Sequence, residues 1–507
     1  MTDAVVWHRA DLRTVDNAAL AAASDADRVA PAFVVDPVYY GDDGLACDAR
    51  LRFLHECLAD LRGQYRDLGS DLALLSGDPH ERVPELLDRG FAVYVNRDVT
   101  ARRGLARDEA LLDREGVQVF DDDGIRRPGQ RHRDGTVAVD TRATRAGEGW
   151  DDHCEAYFER EPHARPDGLG PNPVDSEVTI EEVEARHDVA PEKRGVPAGG
   201  TMAGNERLSA FVDRLTDYPR VVSPPAAAED RSSRLSPYLT FGALSHRQVY
   251  QRVQSAPESR GREMYTSRLF WNRHYHQKLA DWPGWTERAV NPVFRGLFRD
   301  EHDEDLDAAW REGRTGFPMV DAAMRALTET GYVNFRMRAL AATFYVYVLK
   351  QWWRRGADFV YEHLVDADPA INYTQWQSQC NLTGVHPVRV YDPEKQLREY
   401  DPDGAFVREY VPELAPLPDE HLPAPAETPV GVQRECGVDV GEDYPYPVVD
   451  YDHEAERARE RYAALADRAR EALSDPRVRR RGSFSNRGRD RADDGGEDGG
   501  QTSLDDF

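Results

Sequence analysis

Five short apolar runs alternate with charged, helix-like stretches in the first 120 residues. The runs are AVVW, VAPAFVV, LALL, FAVYV and VQVF, at residues 4–7, 29–35, 72–75, 91–95 and 117–120. This alternation is typical of a parallel β-sheet with flanking helices. Such sheets bind ligands beyond the carboxyl ends of their strands, which predicts that His8, Arg9 and Asp36 lie near any crevice. The absence of a GxGxxG motif and of a P-loop argues against a standard dinucleotide or nucleoside triphosphate site.

A second pattern lies between residues 315 and 414. Apolar residues recur at helical spacing from Val320 to Leu349, and polar residues, among them Arg336, interrupt them. This combination predicts buried helices that line a polar cavity. Arg338 and Asp366 are of the types that neutralise each other beside a partly buried polar ligand, because an unpaired buried charge is expensive. Taken alone, the segment is better explained by a helical core with ordinary tryptophan packing and surface ion pairs.

The overall charge is strongly acidic. The 507 residues allow two or three domains, and the formal net charge is -27. Basic residues are almost all arginine, with lysine only at positions 193, 278, 350 and 395. An acidic, lysine-poor surface suits a halophilic cytoplasm of very high salt, where carboxylates keep a protein hydrated. A DNA-binding site would therefore have to be a local, arginine-lined patch.

The five cysteines are widely scattered and show no CxxC spacing. This distribution indicates no disulfide framework, no zinc site and no iron–sulfur site, so no metal is expected. The sequence has no charged-then-apolar leader and no long apolar run. We therefore expect a cytoplasmic protein without a membrane span.

Several motifs follow one another in an order that resembles the cryptochrome/photolyase family. They are VVWHRADLRTVDNAAL at the amino terminus, SRLSPYLTFGALS, TGFPMVDAAMRAL, the Asn-x-Arg-x-Arg run at 334–338, the aspartates at 366 and 368, Asn372, Trp376 and the closing YDP…VPEL. The resemblance implies an α/β amino-terminal domain and a larger all-α FAD-binding domain. The implied divisions are an α/β domain at 1–135, a linker at 136–200, the FAD-binding domain at 201–420, an extension with a helix at 421–475 and a disordered tail at 476–507.

The same resemblance implies the residues that hold FAD. Hydroxyl residues followed by an arginine and a proline-started helix suit a phosphate group, because hydroxyls and helix amino-terminal N–H groups both donate to it. Without the family, SSRLS would be an ordinary helix cap. Arg338 and Asp366 would flank the isoalloxazine, and Asn372 would face its N5 atom. The implied FAD residues are Tyr218, Ser232, Ser233, Arg234, Leu235, Ser236, Asn334, Arg338, Asp366, Ala367, Asp368 and Asn372.

Two tryptophans match the inner members of the family's electron-transfer chain, namely Trp376 and Trp353. The outermost tryptophan is expected near Asp300, where this sequence has none. Tyr345, Tyr347 and Trp352 are alternative outer members, although core packing is the better explanation for each of them.

The resemblance also implies a blue-light-driven lyase that repairs pyrimidine dimers in DNA. Residues 265–282 interleave aromatic residues and arginine on a predicted helix, as stacking on bases and gripping phosphate require, although these aromatic residues could equally be core. The implied substrate residues are Arg268, Trp271, Tyr275, Phe335, Arg336, Met337 and Gln396. The pocket departs from the family at three positions, where Arg268 replaces a glutamate, Phe335 an asparagine and Ser378 a tryptophan. The histidines of (6-4) photolyases are absent at Phe335 and Ala339, which favours cyclobutane dimers as substrate.

Two other functions remain open at this stage. One is a cryptochrome-like blue-light sensor without repair activity, which the three altered pocket residues favour and Asn372 disfavours. The other is a helical DNA-binding protein without flavin, which would make the motif order a coincidence. The α/β domain either holds an antenna chromophore, a folate or a deazaflavin, or is an empty scaffold.

The carboxyl-terminal region predicts one helix, at 454–473, followed by a polar tail. The tail is rich in Arg, Gly, Ser and Asp, as disordered segments are. Its last residues, QTSLDDF, resemble a PCNA-interacting motif in which Gln501, Leu504 and Phe507 would anchor a sliding clamp. Such patterns also arise by chance. We expect a monomer.

Overall fold

The structure is a computed structural model that describes residues 3–41, 44–127 and 149–482. The chain divides into two compact units that are discontinuous in sequence. The first consists of 1–216, 233–280 and 364–370, and the second of 217–232, 281–363 and 371–507. The domain boundaries that the sequence implies remain a prediction.

A five-stranded parallel sheet forms the centre of the first unit, which confirms the predicted α/β fold. Its strand order is β3-β2-β1-β4-β5. The chain therefore adds β2 and β3 on one side of β1 and then β4 and β5 on the other side. Val5 pairs with Ala30 on one side and with Val93 on the other. The strands are β1 Asp3–His8, β2 Arg28–Val35, β3 Ala73–Ser76, β4 Ala92–Asn96 and β5 Val117–Phe120.

Apolar runs form these strands, and β1, β2 and β3 are almost continuously buried because parallel strands are covered on both faces. Val5, Ala30, Leu75, Val93 and Val95 all belong to one buried cluster. The helices of this unit are α1 Ala18–Ala23, α2 Asp48–Asp67, α3 Pro79–Asp88, α4 Arg103–Leu111, α5 Trp150–Phe158, α6 Ile180–His187, α7 Thr201–Val212, α10 Ser236–Thr240, α11 His246–Gln254 and α12 Arg260–Asp281. Helix α12 confirms the helix predicted at 265–282.

The segment predicted as a linker contains more structure than its composition indicates. It includes α5, whose Trp150 is fully buried, and α6. It also covers the sheet edge, because the Ser176 hydroxyl accepts a hydrogen bond from Leu74 N and Glu177 N donates to Leu74 O. The Asn172 amide donates to the backbone oxygens of Pro31 and Asp71. Contacts with an edge strand therefore order part of the predicted linker, whose boundaries remain a prediction.

The second unit is helical. Its helices are α8 Tyr218–Val221, α9 Pro225–Arg231, α13 Glu304–Arg311, α14 Pro318–Thr330, α15 Phe335–Thr343, α16 Trp353–His363, α17 Pro369–Gln379, which begins in the first unit, α18 Pro393–Tyr400, α19 Ala405–Tyr410, α20 Val430–Cys436, α21 Tyr451–Ala472 and α22 Pro476–Gly482. A π-helical turn, Phe344–Val348, continues α15. None of the helices in the described ranges is long and apolar enough to cross a membrane.

Helix α21 confirms the predicted carboxyl-terminal helix, and α22 corrects the predicted tail. Disorder was expected from residue 476, but Pro476–Gly482 is helical and Val478 is buried. The Trp285 indole donates to Arg481 O at 3.1 Å, which attaches the helix to the second unit. Gln501, Leu504 and Phe507 lie outside the described residues, so the clamp motif remains a prediction.

Candidate functional site

Asn334 marks the start of the site as the N-cap of α15. Its side-chain oxygen accepts from Met337 N at 3.1 Å, and its nitrogen donates to the backbone oxygens of Val222 and Ser223. A side chain that caps a helix satisfies one of the N–H groups that the first turn leaves unpaired. Asn334 therefore fixes α15 relative to the segment that follows α8.

Arg336 is buried and held within the second unit. Its guanidinium lies 3.5 Å from the ring centroid of Tyr400, and it donates to Gln396 Oε1 at 3.4 Å and to Ser223 Oγ at 3.2 Å. Met337, the next residue, has 0% exposed surface. The role of Met337 as a substrate residue remains a prediction.

Arg338 and Asp366 belong to different units, and their pairing remains a prediction. In the second unit, Arg338 Nε donates to Val333 O at 2.9 Å. In the first, Asp366 is buried beside Ala367, and its backbone oxygen accepts from Thr240 Oγ1 at 3.5 Å.

Asn372 has a defined amide orientation on α17. Its nitrogen donates to Ala357 O on α16 at 2.9 Å, and the side chain is buried. Because a backbone oxygen can only accept, the contact identifies the nitrogen, and the amide oxygen is the atom that could accept from a ligand. This arrangement suits the predicted role of Asn372 opposite a flavin N5–H group.

Trp376 lies one turn further along α17, in a buried aromatic cluster. Its ring centroid is 6.0 Å from that of Tyr345 and 6.3 Å from that of Trp310, both in edge-to-face geometry. Gly356 permits this approach, because an added Cβ would lie 2.5 Å from Trp376 Cη2 and 2.8 Å from Tyr345 Cδ1. The Tyr345 hydroxyl donates to Asp307 at 2.5 Å.

Burial first, and then the hydrogen bond to Asp307, raises the pKa of Tyr345 well above its ordinary value. Sequence reasoning missed Trp310 and Asp307 altogether. Their spacing on α13 was the available signal, since residues three apart share one helix face.

Trp353 begins α16 and contacts Tyr373 edge-to-face at 6.4 Å. Trp352 lies close to the position where the outermost tryptophan was expected, because the Arg299 guanidinium is 5.0 Å from its ring centroid. A cation over an indole is attracted by the ring's electrons. The same field makes removal of an electron from Trp352 harder.

The predicted phosphate-binding run Ser232–Ser236 contains one residue in the left-handed region, Arg234, with a φ of 49°. In the first unit, the Ser233 hydroxyl is 3.2 Å from the Tyr265 hydroxyl, which donates to it, and Leu235 is fully buried. In the second unit, the Ser232 and Tyr332 hydroxyls are 3.3 Å apart, and Tyr218 is buried.

Asp368 and His276 form an unforeseen pair in the first unit. His276 Nε2 lies 3.0 Å from Asp368 Oδ2, and Asp368 Oδ1 accepts from Ala370 N at 2.8 Å. The other nitrogen of His276 is 2.9 Å from Asn272 O. The aspartate therefore links the start of α17 to α12.

Helix α12 carries the predicted substrate residues of the first unit. Trp271 stacks on Tyr275, with centroids 5.6 Å apart and ring planes at 25°. Trp271 and Arg268 are both partly exposed, and Tyr275 is buried. Arg268 and Trp271 are three residues apart on this helix and so share one face of it. An aromatic ring and a cationic donor are the groups that stacking on a base and contacting its oxygens require.

Polar residues lie at the carboxyl ends of β1 and β2, and their position beside a ligand crevice remains a prediction. Arg9 binds Asp108 at 2.6 Å, and Asp36 lies 3.0 Å from Arg103. His8 is fully buried, with Nε2 2.6 Å from the Tyr65 hydroxyl. All three side chains therefore have partners inside the unit, so they contribute to its stability whether or not a chromophore binds.

Asp11 completes this cluster. Burial alone would raise its pKa, but the charge and hydrogen bond of His8, with hydrogen bonds from Arg9 N and the Asn96 amide, hold the pKa of Asp11 well below 3.8. The distances from Asp11 to Arg9 N and to Asn96 Nδ2 are 2.8 and 2.6 Å.

Two family models match the chain. One, described as DNA photolyase, matches residues 4–160, and the other, the FAD binding domain of DNA photolyase, matches residues 265–464. Cryptochrome DASH of Natronomonas pharaonis is 33% identical over 482 residues, or 89% of this chain and 99% of that one. Deoxyribodipyrimidine photo-lyase of Halobacterium salinarum is 32% identical over 508 residues, covering 92% and 98%.

A solved photolyase structure is also similar to this chain. The archaeal photolyase of Sulfolobus tokodaii, which contains two FAD molecules, is similar with a TM-score of 0.74 and 28% identity, covering 91% of this chain and 100% of that one.

Proposed function

Because the chain belongs to the cryptochrome/photolyase family, we propose that it is a light-driven DNA photolyase that uses FAD to repair cyclobutane pyrimidine dimers. The observation that carries this proposal is the fixed orientation of the Asn372 amide, which donates to Ala357 O. Asn372 lies one helical turn before Trp376, and both residues fall within the range that matches the FAD-binding domain. An amide at this position resembles photolyases, whereas plant cryptochromes carry an acid there.

The residues present fit FAD by their chemistry. The hydroxyls of Ser232, Ser233 and Ser236 and the cation of Arg234 are suited to the diphosphate. Helix α10, which Ser236 begins, is only five residues long, so the hydroxyls and Arg234 contribute more than its dipole. The amide oxygen of Asn372 would accept from N5–H, and Arg338 would favour an anionic reduced flavin. When bound, reduced FAD supplies one electron to the dimer under blue light and recovers it after the two bases separate.

The proposed substrate pocket uses Trp271 as its apolar wall. A flipped dimer needs a stacking surface and a few donors. Arg268 would donate to a base carbonyl and stabilise the negative charge that the dimer acquires with the electron. In this role it performs the task of the glutamate that the family has at this position. Gln396 and Phe335 belong to the second unit and remain predicted substrate residues, and the proposed activity is that of a carbon–carbon lyase.

A blue-light sensor is the second candidate, because Arg268, Phe335 and Ser378 depart from the repair pocket. The two functions predict different binding to damaged DNA in the dark. A repair enzyme must recognise the lesion before light arrives, and a sensor has no need to distinguish damaged from intact DNA.

Dark binding to two oligonucleotides, identical except for one cyclobutane thymine dimer, tests the proposal in high salt. We expect tighter binding to the damaged strand, and loss of most of that preference in Trp271→Ala, since stacking on one base contributes about 1–3 kcal/mol. Trp282→Ala is the matched control, because Trp282 packs on Arg288 and Arg481 in the second unit. Equal affinity of the native protein for both oligonucleotides would favour the sensor.

The remaining partners are proposals as well. A folate or deazaflavin antenna would lie at the carboxyl ends of the strands. The Sulfolobus tokodaii photolyase contains two FAD molecules, so FAD is a third candidate for the antenna. Binding of a sliding clamp through Gln501, Leu504 and Phe507 is tested by a tail peptide and the organism's clamp in native salt.

A further inference from the structure

Tyr345 is in direct contact with the tryptophan expected to donate first to the flavin. Its ring and that of Trp376 meet edge-to-face with an interplanar angle of 84°, and Gly356 leaves the space that both rings occupy. The π-helical turn Phe344–Val348 carries Tyr345 into this position. Such turns are rare and frequently occur at functional sites.

The environment of Tyr345 includes a proton acceptor. A buried tyrosine that loses an electron must also lose its proton, because a cation radical in a low-dielectric interior is expensive. The hydroxyl already donates to Asp307 at 2.5 Å, and both side chains are buried. The proton therefore has only to move along an existing hydrogen bond.

Asp307 is better suited to this role than to binding a metal. His302, Glu304 and Asp307 bring three ligand atoms within 4.8 Å of one another. However, the Asp307 carboxylate is 2.9 Å from Arg311 and 3.5 Å from Arg355. A divalent cation would bring two more positive charges to this carboxylate from outside, whereas the proton of the proposed step comes from a hydroxyl that already donates to Asp307.

Two of the neighbouring aromatic residues lack this combination among the contacts that the structure describes. Tyr347, in the same π-helical turn, is also fully buried, but its hydroxyl donates to a backbone oxygen, that of Gln379. Trp352 lies under the Arg299 cation.

Tyr373 has a comparable pair. Its hydroxyl donates to the Asp358 carboxylate at 2.6 Å, and its ring contacts Trp353, the other inner tryptophan of the predicted chain. Tyr373 is therefore the alternative electron donor that the test must separate from Tyr345.

We propose that Tyr345 is a redox-active branch of the electron-transfer chain, in which it reduces oxidised Trp376 and passes its hydroxyl proton to Asp307. Trp376 first loses one electron to the light-excited, oxidised flavin, which is the oxidant. One electron then moves from Tyr345 to Trp376 and one proton from Tyr345 to Asp307. Trp376 is neutral again, Tyr345 is a neutral radical and Asp307 is a neutral carboxylic acid.

This branch changes how long the charge separation lasts. A tryptophan cation beside a reduced flavin is attracted to it, and that attraction favours return of the electron. A neutral tyrosyl radical carries no such charge. Tyr345 would therefore increase the yield of reduced flavin for each absorbed photon.

This inference rests on the proposed flavin chemistry. Transient absorption after a blue pulse distinguishes a failure of the tyrosine branch from a failure of the proposed function. The sample is the flavin-loaded full chain, with Tyr345→Phe, Tyr347→Phe, Tyr373→Phe and Asp307→Asn as variants. We expect the native protein to show the absorption band of a neutral tyrosyl radical. That band should disappear in Tyr345→Phe and persist in Tyr347→Phe and Tyr373→Phe. Replacing water with D₂O should slow its formation in the native protein.

Asp307→Asn should suppress the band, because an amide accepts the hydrogen bond but not the proton. If that variant does not fold, the D₂O effect and Tyr345→Phe still decide. A tyrosyl band that survives in Tyr345→Phe, or one lost only in Tyr373→Phe, overturns the inference. Light-driven flavin reduction without any tyrosyl band also overturns it and leaves the proposed function intact. A protein without a light-reducible flavin overturns both.

Discussion

Asn372 and Gly356 show how single residues shape the proposed flavin site. The Asn372 amide is oriented by one backbone oxygen of the neighbouring helix. Gly356 has no side chain, and two large rings occupy the space that a methyl group would fill. Both effects are settled by positions that are distant in sequence, so neither residue's role follows from its local pattern.

The carboxylate of Asp11 provides a prediction of pH dependence. Its folded-state pKa lies below the ordinary value of 3.8, so its ionisation stabilises the fold above about pH 4 and this contribution is lost as the pH falls further. Asp11→Asn would place an amide against donors from Arg9 and Asn96. We expect it to lower the free energy of unfolding by about 2–4 kcal/mol near neutral pH, and by less at acidic pH.

Urea unfolding across that pH range, in constant high salt, measures this effect. Asp25→Asn is the control, since Asp25 is exposed and its replacement should change stability by no more than about 0.5 kcal/mol. A stability difference for Asp11→Asn that stays constant down to the most acidic pH would contradict the assignment.

At the scale of elements, the end of the π-helical turn depends on Lys350, one of only four lysines. Lys350 has a φ of 55°, in the left-handed region. Its ammonium group is 2.8 Å from Tyr347 O and 2.7 Å from the Glu454 carboxylate of α21. The Lys350 side chain therefore caps the π-helical turn and holds α21 against it.

Lys350→Ala should loosen α21. Removing one partner from a largely buried ion pair costs about 3–5 kcal/mol, an upper bound here because Arg457 also contacts Glu454. Hydrogen exchange of α21 and urea unfolding measure the change. Arg457→Ala is the control, since its exposed contact with the same carboxylate should contribute no more than about 1 kcal/mol. Equal effects of the two substitutions would show that Lys350 does not hold the helix.

The elements that the sequence predicts well are those with one dominant pattern. Strands β1, β2 and β3 are almost continuously buried apolar runs, as expected where a sheet is covered on both faces, and α21 is long with buried residues at helical spacing. Helices α5 and α6 were missed because Pro, Gly and acidic residues surround them, and α22 because it lies in an Arg-, Gly- and Ser-rich stretch. Contacts such as that of Ser176 with Leu74 order one of these regions, and such contacts have no local signature.

The candidate site, too, is only partly predictable from local sequence patterns. The order of motifs is enough to identify the family and to nominate Asn372 and Trp376. The Tyr345–Asp307 pair joins residues 38 positions apart through a π-helical turn. Propensities along the chain do not indicate where such a turn occurs, so the sequence offered Tyr345 only as one of several alternatives.

At the scale of the whole molecule, a net charge of -27 must be reconciled with an anionic substrate. Repulsion between the protein and DNA is long-ranged at low ionic strength, whereas at about 1 M salt screening confines it to about 3 Å. High salt therefore reduces the general repulsion and leaves short-range stacking and hydrogen bonds to select the lesion. All DNA measurements on this protein should accordingly be made in high salt.

Light-driven repair is the most direct test of the central claim. Flavin-loaded, reduced protein in high salt is incubated with an oligonucleotide that carries one cyclobutane thymine dimer, and thymine absorbance is followed under blue light and in darkness. The proposed function predicts recovery of that absorbance under light alone. No recovery, with the flavin bound and still reduced, would contradict repair and assign the altered pocket to a light sensor.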